Sequence, residues 1–110
     1  MTRRRISAET AAVLSVVLAS PQRALYGLEI RERSGIASGS LYPILIRLED
    51  RGVLQSERAK QKDPSTRGRP RTYYRLTASG RRAAAEDLTR WEREQARRAR
   101  AFRGPAVGAT

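Results

Sequence analysis

The stretch that decides the fold is S-G-S-L-Y-P-I-L-I-R-L-E-D-R-G, Ser38 to Gly52. Leu41, Ile44, Leu45 and Leu48 stand at i, i+3, i+4 and i+7, the spacing of one apolar helix face. Pro43 lies inside that pattern, and a proline has no amide to donate. It is tolerable in or near the first turn, where few amides yet have a helical partner. With Ser40 as the cap no hydrogen bond is lost; with Ser38 as the cap the first one is missing. Gly52 after Arg51 is a good C-terminal stop.

Upstream, Ser7 is placed to cap a first helix over Ala8 to Ala19, which Pro21 ends. Val13, Leu14, Val17 and Leu18 are available for burial there. A short second helix is expected over Leu25 to Arg33, with Leu25, Leu28 and Ile30 turned inward. Ser34-Gly35-Ile36-Ala37 then makes a tight turn anchored by its apolar residue.

Downstream the period changes from helical to alternating. Val53 to Glu57 and Arg71 to Leu76 are expected as short strands. The polar, basic run Arg58 to Pro70 lies between them. Two strands around a basic loop, after a helix-turn-helix, make a wing. The expected fold is mainly α with a small two-stranded β wing: a winged helix-turn-helix plus a long C-terminal helix.

That fourth helix is expected from Thr77 as cap through Ala78 to Phe102, since no proline follows until Pro105. Leu88, Trp91, Gln95, Arg98 and Phe102 follow a 3-4-3-4 spacing, with Ala84 extending the line backwards. A core that ends near Leu76 cannot bury Trp91 and Phe102, so this helix is expected to pair with a second copy in a homodimer. The chain is expected to divide into a basic arm at 1–6, a winged helix-turn-helix DNA-binding domain at 7–76, a dimerisation helix at 77–103 and a disordered tail at 104–110.

Composition agrees with one modest domain. The 110 residues are 39% hydrophobic and 5% aromatic, so the core must be largely aliphatic. Lys plus Arg number 23 against 11 Asp plus Glu, a net charge of +12, and all but Lys60 and Lys62 of the basic residues are arginine. Arginine suits bidentate phosphate and guanine contacts, which makes nucleic acid the favoured polyanion. The absence of Cys and His excludes thiol chemistry, Cys/His zinc sites, Ser-His-Asp triads and disulfides. No cofactor or metal is implied, and no paired acids occur in a pocket-like context, so an enzyme is not expected. The longest apolar stretch, Ala11 to Ala19, is too short to span a bilayer. The polar face of the fourth helix carries both signs, which argues against membrane binding. A cytoplasmic location is expected.

L-Y-G-L-E-I, G-S-L-Y-P-I-L-I-R-L-E-D-R-G and G-R-P-R-T-Y-Y-R-L-T-A-S-G, in this order between Leu25 and Gly80, resemble the PadR family of transcriptional regulators. The resemblance implies a winged-helix DNA-binding domain, a homodimer on double-stranded DNA, usually repression of nearby genes and, in some members, response to a small aromatic effector. Members this short resemble the group whose C-terminal part is one dimerising helix. One departure stands at the third helix, where Ala37 replaces the serine that commonly caps it.

With Leu41 on the core side and about 100° per residue, Pro43, Arg47, Ser40, Gly39 and Ile46 point away, with Tyr42 on the flank. Ser38, Gly39, Ser40, Tyr42, Pro43 and Arg47 are therefore the DNA-binding candidates of this helix. Ser40 and Tyr42 can donate to phosphate or a base edge, Arg47 can reach phosphate or guanine, and Ile46 can meet a thymine methyl. The alternative for Tyr42 is a half-buried packing residue with a wet hydroxyl, and for Arg47 a solvated or intrachain-paired arginine. Glu49 is assigned to structure, pairing with a nearby arginine. On the wing the candidates are Lys60, Lys62, Arg67, Arg69, Arg71 and Tyr73. Tyr73 and Tyr74 point to opposite sheet faces, one toward the helices and one toward the DNA backbone. Leu14, Leu88, Trp91, Gln95 and Phe102 are the dimer or effector candidates, with Trp91 either packing the dimer or stacking a planar ligand. A non-specific nucleic-acid binder is the alternative that the arginine content also allows.

Overall fold

The Ser7 hydroxyl accepts the Thr10 amide at 3.0 Å, and helix α1 (Ala8–Ala19) begins at the expected place. The structure, a computed structural model, describes residues 5–62 and 70–103, with side chains for 5–59 and 71–102. The tail at 104–110 and most of the basic arm therefore lie outside the described residues. Of that arm, Ile6 packs against the core.

Leu25 and Tyr26 do not begin the second helix. They form a short strand, β1 (Leu25–Tyr26), and α2 (Gly27–Ser34) follows. Leu28, expected inside, is 37% exposed, whereas Leu25 and Ile30 are buried. The helical spacing runs through these two residues, but they pair with a strand almost 50 positions later, a contact that no local spacing reveals. Gly35 closes α2 at φ 75, donating to the Arg31 carbonyl at 2.9 Å, and Ile36 anchors the turn in the core.

Helix α3 (Ser38–Asp50) buries Leu41, Ile44, Leu45 and Leu48. Each such burial is worth about 1.5–3 kcal/mol. Neither expected start is the observed one. Ala37 is the N-cap and no side chain caps the helix; the Ser40 and Leu41 amides both donate to the Ala37 carbonyl. Pro43 thus sits past the first turn, and the amide it lacks is the one that would reach the Gly39 carbonyl. Gly39 is exposed, so water can serve that carbonyl instead. At the other end Gly52, at φ 77, donates to Glu49 and Val53 donates to Leu48, the paired bonds of a Schellman stop.

The wing strands are longer than their alternation suggested: β2 (Leu54–Lys62) and β3 (Pro70–Leu76). They pair antiparallel from Leu54 opposite Leu76 to Arg58 opposite Thr72, with an irregularity before Lys62 meets Pro70. Because β1 pairs with β3, the sheet has three strands in the order β1-β3-β2, not the two expected. Helices α1 to α3 and this sheet enclose an aliphatic core whose aromatic member is Tyr74.

Helix α4 (Ala78–Arg103) starts at Thr77, whose Oγ1 accepts the Gly80 amide at 2.8 Å and donates to the Gly52 carbonyl at 2.6 Å. The helix packs along α1, with Ala84 in the core. The architecture is a winged helix-turn-helix carrying a long C-terminal helix. Leu14, a dimer candidate, is enclosed by this chain's own core and keeps no side-chain surface for a second chain.

Candidate nucleic-acid interface

The face of α3 opposite its leucines is uncovered. Gly39, Ser40, Tyr42, Pro43, Ile46 and Arg47 are exposed there, with Ile46 at 57%. Ser38 is half-buried, and its hydroxyl accepts from Arg31 at 3.3 Å. That bond brings a guanidinium from the last turn of α2 to the start of α3. Sequence reasoning passed over Arg31; the short turn through Gly35, which folds one helix end back onto the next helix start, was the available signal.

Tyr42 combines both of its readings. It is 40% exposed, yet its ring lies against Gly27, where an added Cβ would come within 2.7 Å of the phenol oxygen and 3.2 Å of the ring. Gly27 is thus a seat for Tyr42, and the phenol stands at the junction of α2 and α3. Beneath it, Tyr74 has its phenol pushed above the ordinary range by burial, then by the neighbouring Tyr42 and Glu49. Glu49 was expected to pair with an arginine; the partner observed is the Ser56 hydroxyl, which donates to its carboxylate. This bond ties the back of α3 to the first half of β2.

Arg47 lies toward the opposite flank. It lines a crevice of about 280 Å³ with Arg5 and Arg51, between the back half of α3 and the start of α1 around Ser7 and Thr10. Arg5 lies 3.8 Å from Glu94 and Arg51 is paired with Asp87, so the positive character of this edge comes from Arg47 and the N-terminus of α1.

On the wing, Tyr74 is the inward residue and Tyr73 the outward one. Tyr73 meets Tyr26 with ring centroids 6.0 Å apart at 56°. The Arg71 guanidinium lies 4.2 Å above the Tyr26 ring, a cation–π arrangement that orients it. The sequence pattern places Tyr26 in a helix, and nothing local signals this platform, which depends on Arg71 far along the chain. Lys60 and Lys62 lie on β2 with their side chains outside the described residues, and Arg67 and Arg69 lie wholly outside them.

The α4 candidates separate along the helix. Leu88, Trp91 and Gln95 are half-buried on one side, while Phe102 is 93% exposed. Among the described residues no group of His, Cys, Asp and Glu is placed to hold a metal ion, and no helix is long and apolar enough to cross a membrane.

The profile of the transcriptional regulator PadR-like family matches residues 13–86, from α1 into α4. No curated protein matches in sequence. The fold is similar to the crystal structure of smu.1704 from Streptococcus mutans UA159, with TM-score 0.69 and 26% identity over 94% of this chain and 95% of that one. It is also similar to a PadR-like transcriptional regulator (BC4206) from Bacillus cereus, with TM-score 0.62 and 20% identity over 87% and 92%. A third is the PcaV transcriptional regulator from Streptomyces coelicolor, solved in complex with its natural ligand, with TM-score 0.58 and 26% identity over 100% and 81%.

Proposed function

We propose that this chain, which belongs to the transcriptional regulator PadR-like family, is a homodimeric repressor that reads a pseudo-palindromic operator with one α3 per subunit in the major groove. The observation that carries this reading is the division of α3 into a fully buried leucine face and an uncovered face bearing Ser40, Tyr42, Ile46 and Arg47. Small residues at the helix start allow close approach to the duplex, and Tyr42, Ile46 and Arg47 supply a hydroxyl, an apolar contact and a cation for base edges or phosphate. Arg31 flanks this face with charge, and Arg71, steadied by Tyr26, adds it from the wing. The 93% exposed Phe102 supports pairing of α4 with a second copy. In such a dimer the half-sites lie about 34 Å apart. A regulator of this kind acts where the genome is, in the cytoplasm.

Selection of bound duplexes from a random pool tests the reading. An enriched two-fold sequence is expected, with affinity falling about 10³- to 10⁵-fold between 50 and 200 mM salt if six to ten phosphates are contacted. Arg47→Ala and Tyr42→Ala should each weaken the selected site by about 1–3 kcal/mol while leaving the dimer intact. A pool that shows no enrichment would favour a non-specific nucleic-acid binder.

A second element of the proposal is release by a small aromatic effector; that PcaV was solved with its natural ligand supports a small-molecule ligand in proteins of this fold. The half-buried Trp91 is the residue on which such a molecule would stack. Quenching of its fluorescence by planar aromatic acids, together with loss of operator binding, is the measurement that decides it.

A further inference from the structure

We propose that the ion pair between Arg51 and Asp87 is a positioning contact that sets the distance between the two DNA-reading helices of the dimer, and so the half-site spacing it accepts. The inference rests on the dimeric reading above. Asp87 is 8% exposed and is the buried charged residue among the described ones. Its two carboxylate oxygens have separate partners: Oδ2 meets Arg51 Nη2 at 3.1 Å, and Oδ1 meets Arg90 Nη1 at 3.2 Å. Arg90 lies one turn along α4 and already supplies the cation that a buried carboxylate needs. Arg51 is the C-cap of α3. What it adds is therefore a bond between helices. Stability alone is a weak reason for such a pair, because apolar packing of similar volume usually serves as well. Direction is the better reason, because the pair has a fixed geometry that an apolar contact lacks.

The geometry shows what is directed. At its start α4 is fastened to the residues just after α3, through Thr77 on the Gly52 carbonyl and Gly80 against Val53. Asp87 fastens it a second time, to Arg51, about 15 Å further along the axis. The first attachment fixes where α4 begins; packing of Ala84 and its neighbours along α1 and the Asp87 pair with the end of α3 together fix where it points. From Asp87 to the exposed Phe102 the helix runs on for about 22 Å. A tilt of about 10° at the base, about 37 Å from Phe102, displaces that end by about 6 Å, more than the rise of one base pair, about 3.4 Å. Two-fold symmetry repeats the error in the second subunit.

The test uses the full-length protein and the operator selected by it, with the half-sites moved apart or together by single base pairs. The native protein should prefer its best spacing at least tenfold over neighbours one base pair longer or shorter. Arg51→Gln, which leaves Asp87 paired with Arg90, should cut that preference below threefold while sedimentation shows an unchanged dimer. Asp87→Asn should do the same; should it fail to fold, Arg51→Gln decides alone. An Arg51→Gln protein that melts at a lower temperature but keeps the native spacing preference would make the pair merely structural and overturn the proposal. Native protein that binds paired half-sites without regard to spacing overturns it too. Native protein that selects no paired sites removes the dimeric reading itself, and this inference with it.

Discussion

The starts of α3 and α4 solve the same problem in opposite ways. Every helix begins with amides that lack a helical partner. At α4, Thr77 accepts one of them and anchors to Gly52, while Gly80 nests on the Val53 backbone. At α3 the cap is Ala37, with no side-chain acceptor, and a proline follows past the first turn. Gly39 there has nothing within 4 Å of where a Cβ would stand. The fastened start carries the geometry of the molecule; the open one lies on the face proposed to meet DNA, where phosphate oxygens can serve free amides. The back end of α3 resembles the start of α4, since its Schellman stop, Glu49 to Ser56 and Arg51 to Asp87 all hold it. One helix is thus pinned behind and open in front.

The sharpest way to break this contrast is the same substitution at both starts. A Cβ at Gly80 would lie 2.1 Å from the Val53 carbonyl oxygen and 2.6 Å from Thr77 Oγ1. The obstacle is backbone, so α4 itself must shift. Gly80→Ala is expected to cost about 3 kcal/mol, a fall in Tm of more than about 10 °C. Gly39→Ala meets open space in a helix, where alanine is favoured over glycine by about 0.5–1 kcal/mol. Thermal melts of the two variants should move in opposite directions. Similar shifts would mean that the two starts are equally constrained.

The same contrast explains how far the sequence could be read. Helices α1, α3 and α4 follow from caps, periodicity and terminal glycines within one segment, and all three lie close to their expected bounds. The face of α3 follows from the same arithmetic. What escaped depends on partners far along the chain. Leu25 and Tyr26 become a strand only because Tyr74 and Tyr73 lie opposite them, and Tyr26 becomes a platform only because Arg71 reaches over it. Nothing in the local spacing sets Asp87 apart on a helix that carries both signs of charge; its role depends on Arg51, 36 residues away. Ala37 stands out in the sequence, yet capping preference points to a neighbouring serine, whereas this helix begins without a side-chain cap.

A smaller change tests whether the open start is a matter of residue choice. Ala37 has extended backbone, φ −66 and ψ 153, as a capping serine requires. Ala37→Ser should supply the missing acceptor and stabilise the fold by about 1 kcal/mol. Ser7→Ala, at the capped start of α1, should cost about as much. Urea denaturation compares them directly. Operator affinity of Ala37→Ser should not rise with its stability, because the new hydroxyl takes an amide that phosphate would otherwise meet. A gain in affinity matching the gain in stability would show that the open start has no part in binding.

The smallest effect separates α3 from its neighbour α2, whose start is held by charge. Glu29 accepts Arg23 at 2.8 Å and lies 3.6 Å from Arg33, and its other oxygen takes the Tyr26 amide at 3.4 Å. The Arg23 hydrogen bond holds this carboxyl below its ordinary value of 4.5, partly opposed by burial and helped by the Tyr26 amide and the two arginine charges. A carboxyl with a depressed folded pKa contributes stability that is complete above the unfolded value and is lost as pH falls through the folded one. Glu29→Gln should therefore be less stable than the native chain at pH 7, by under about 1 kcal/mol because the pairs are partly exposed. The difference should shrink as pH drops below 4.5, once the native carboxyl itself takes up a proton. A gap that stays constant from pH 7 to the acid limit would assign the loss to packing and the Tyr26 amide alone. Ala37→Ser, a neutral cap, should show no such narrowing, which makes the pH profile the measurement that tells a start held by charge from one held by a hydroxyl.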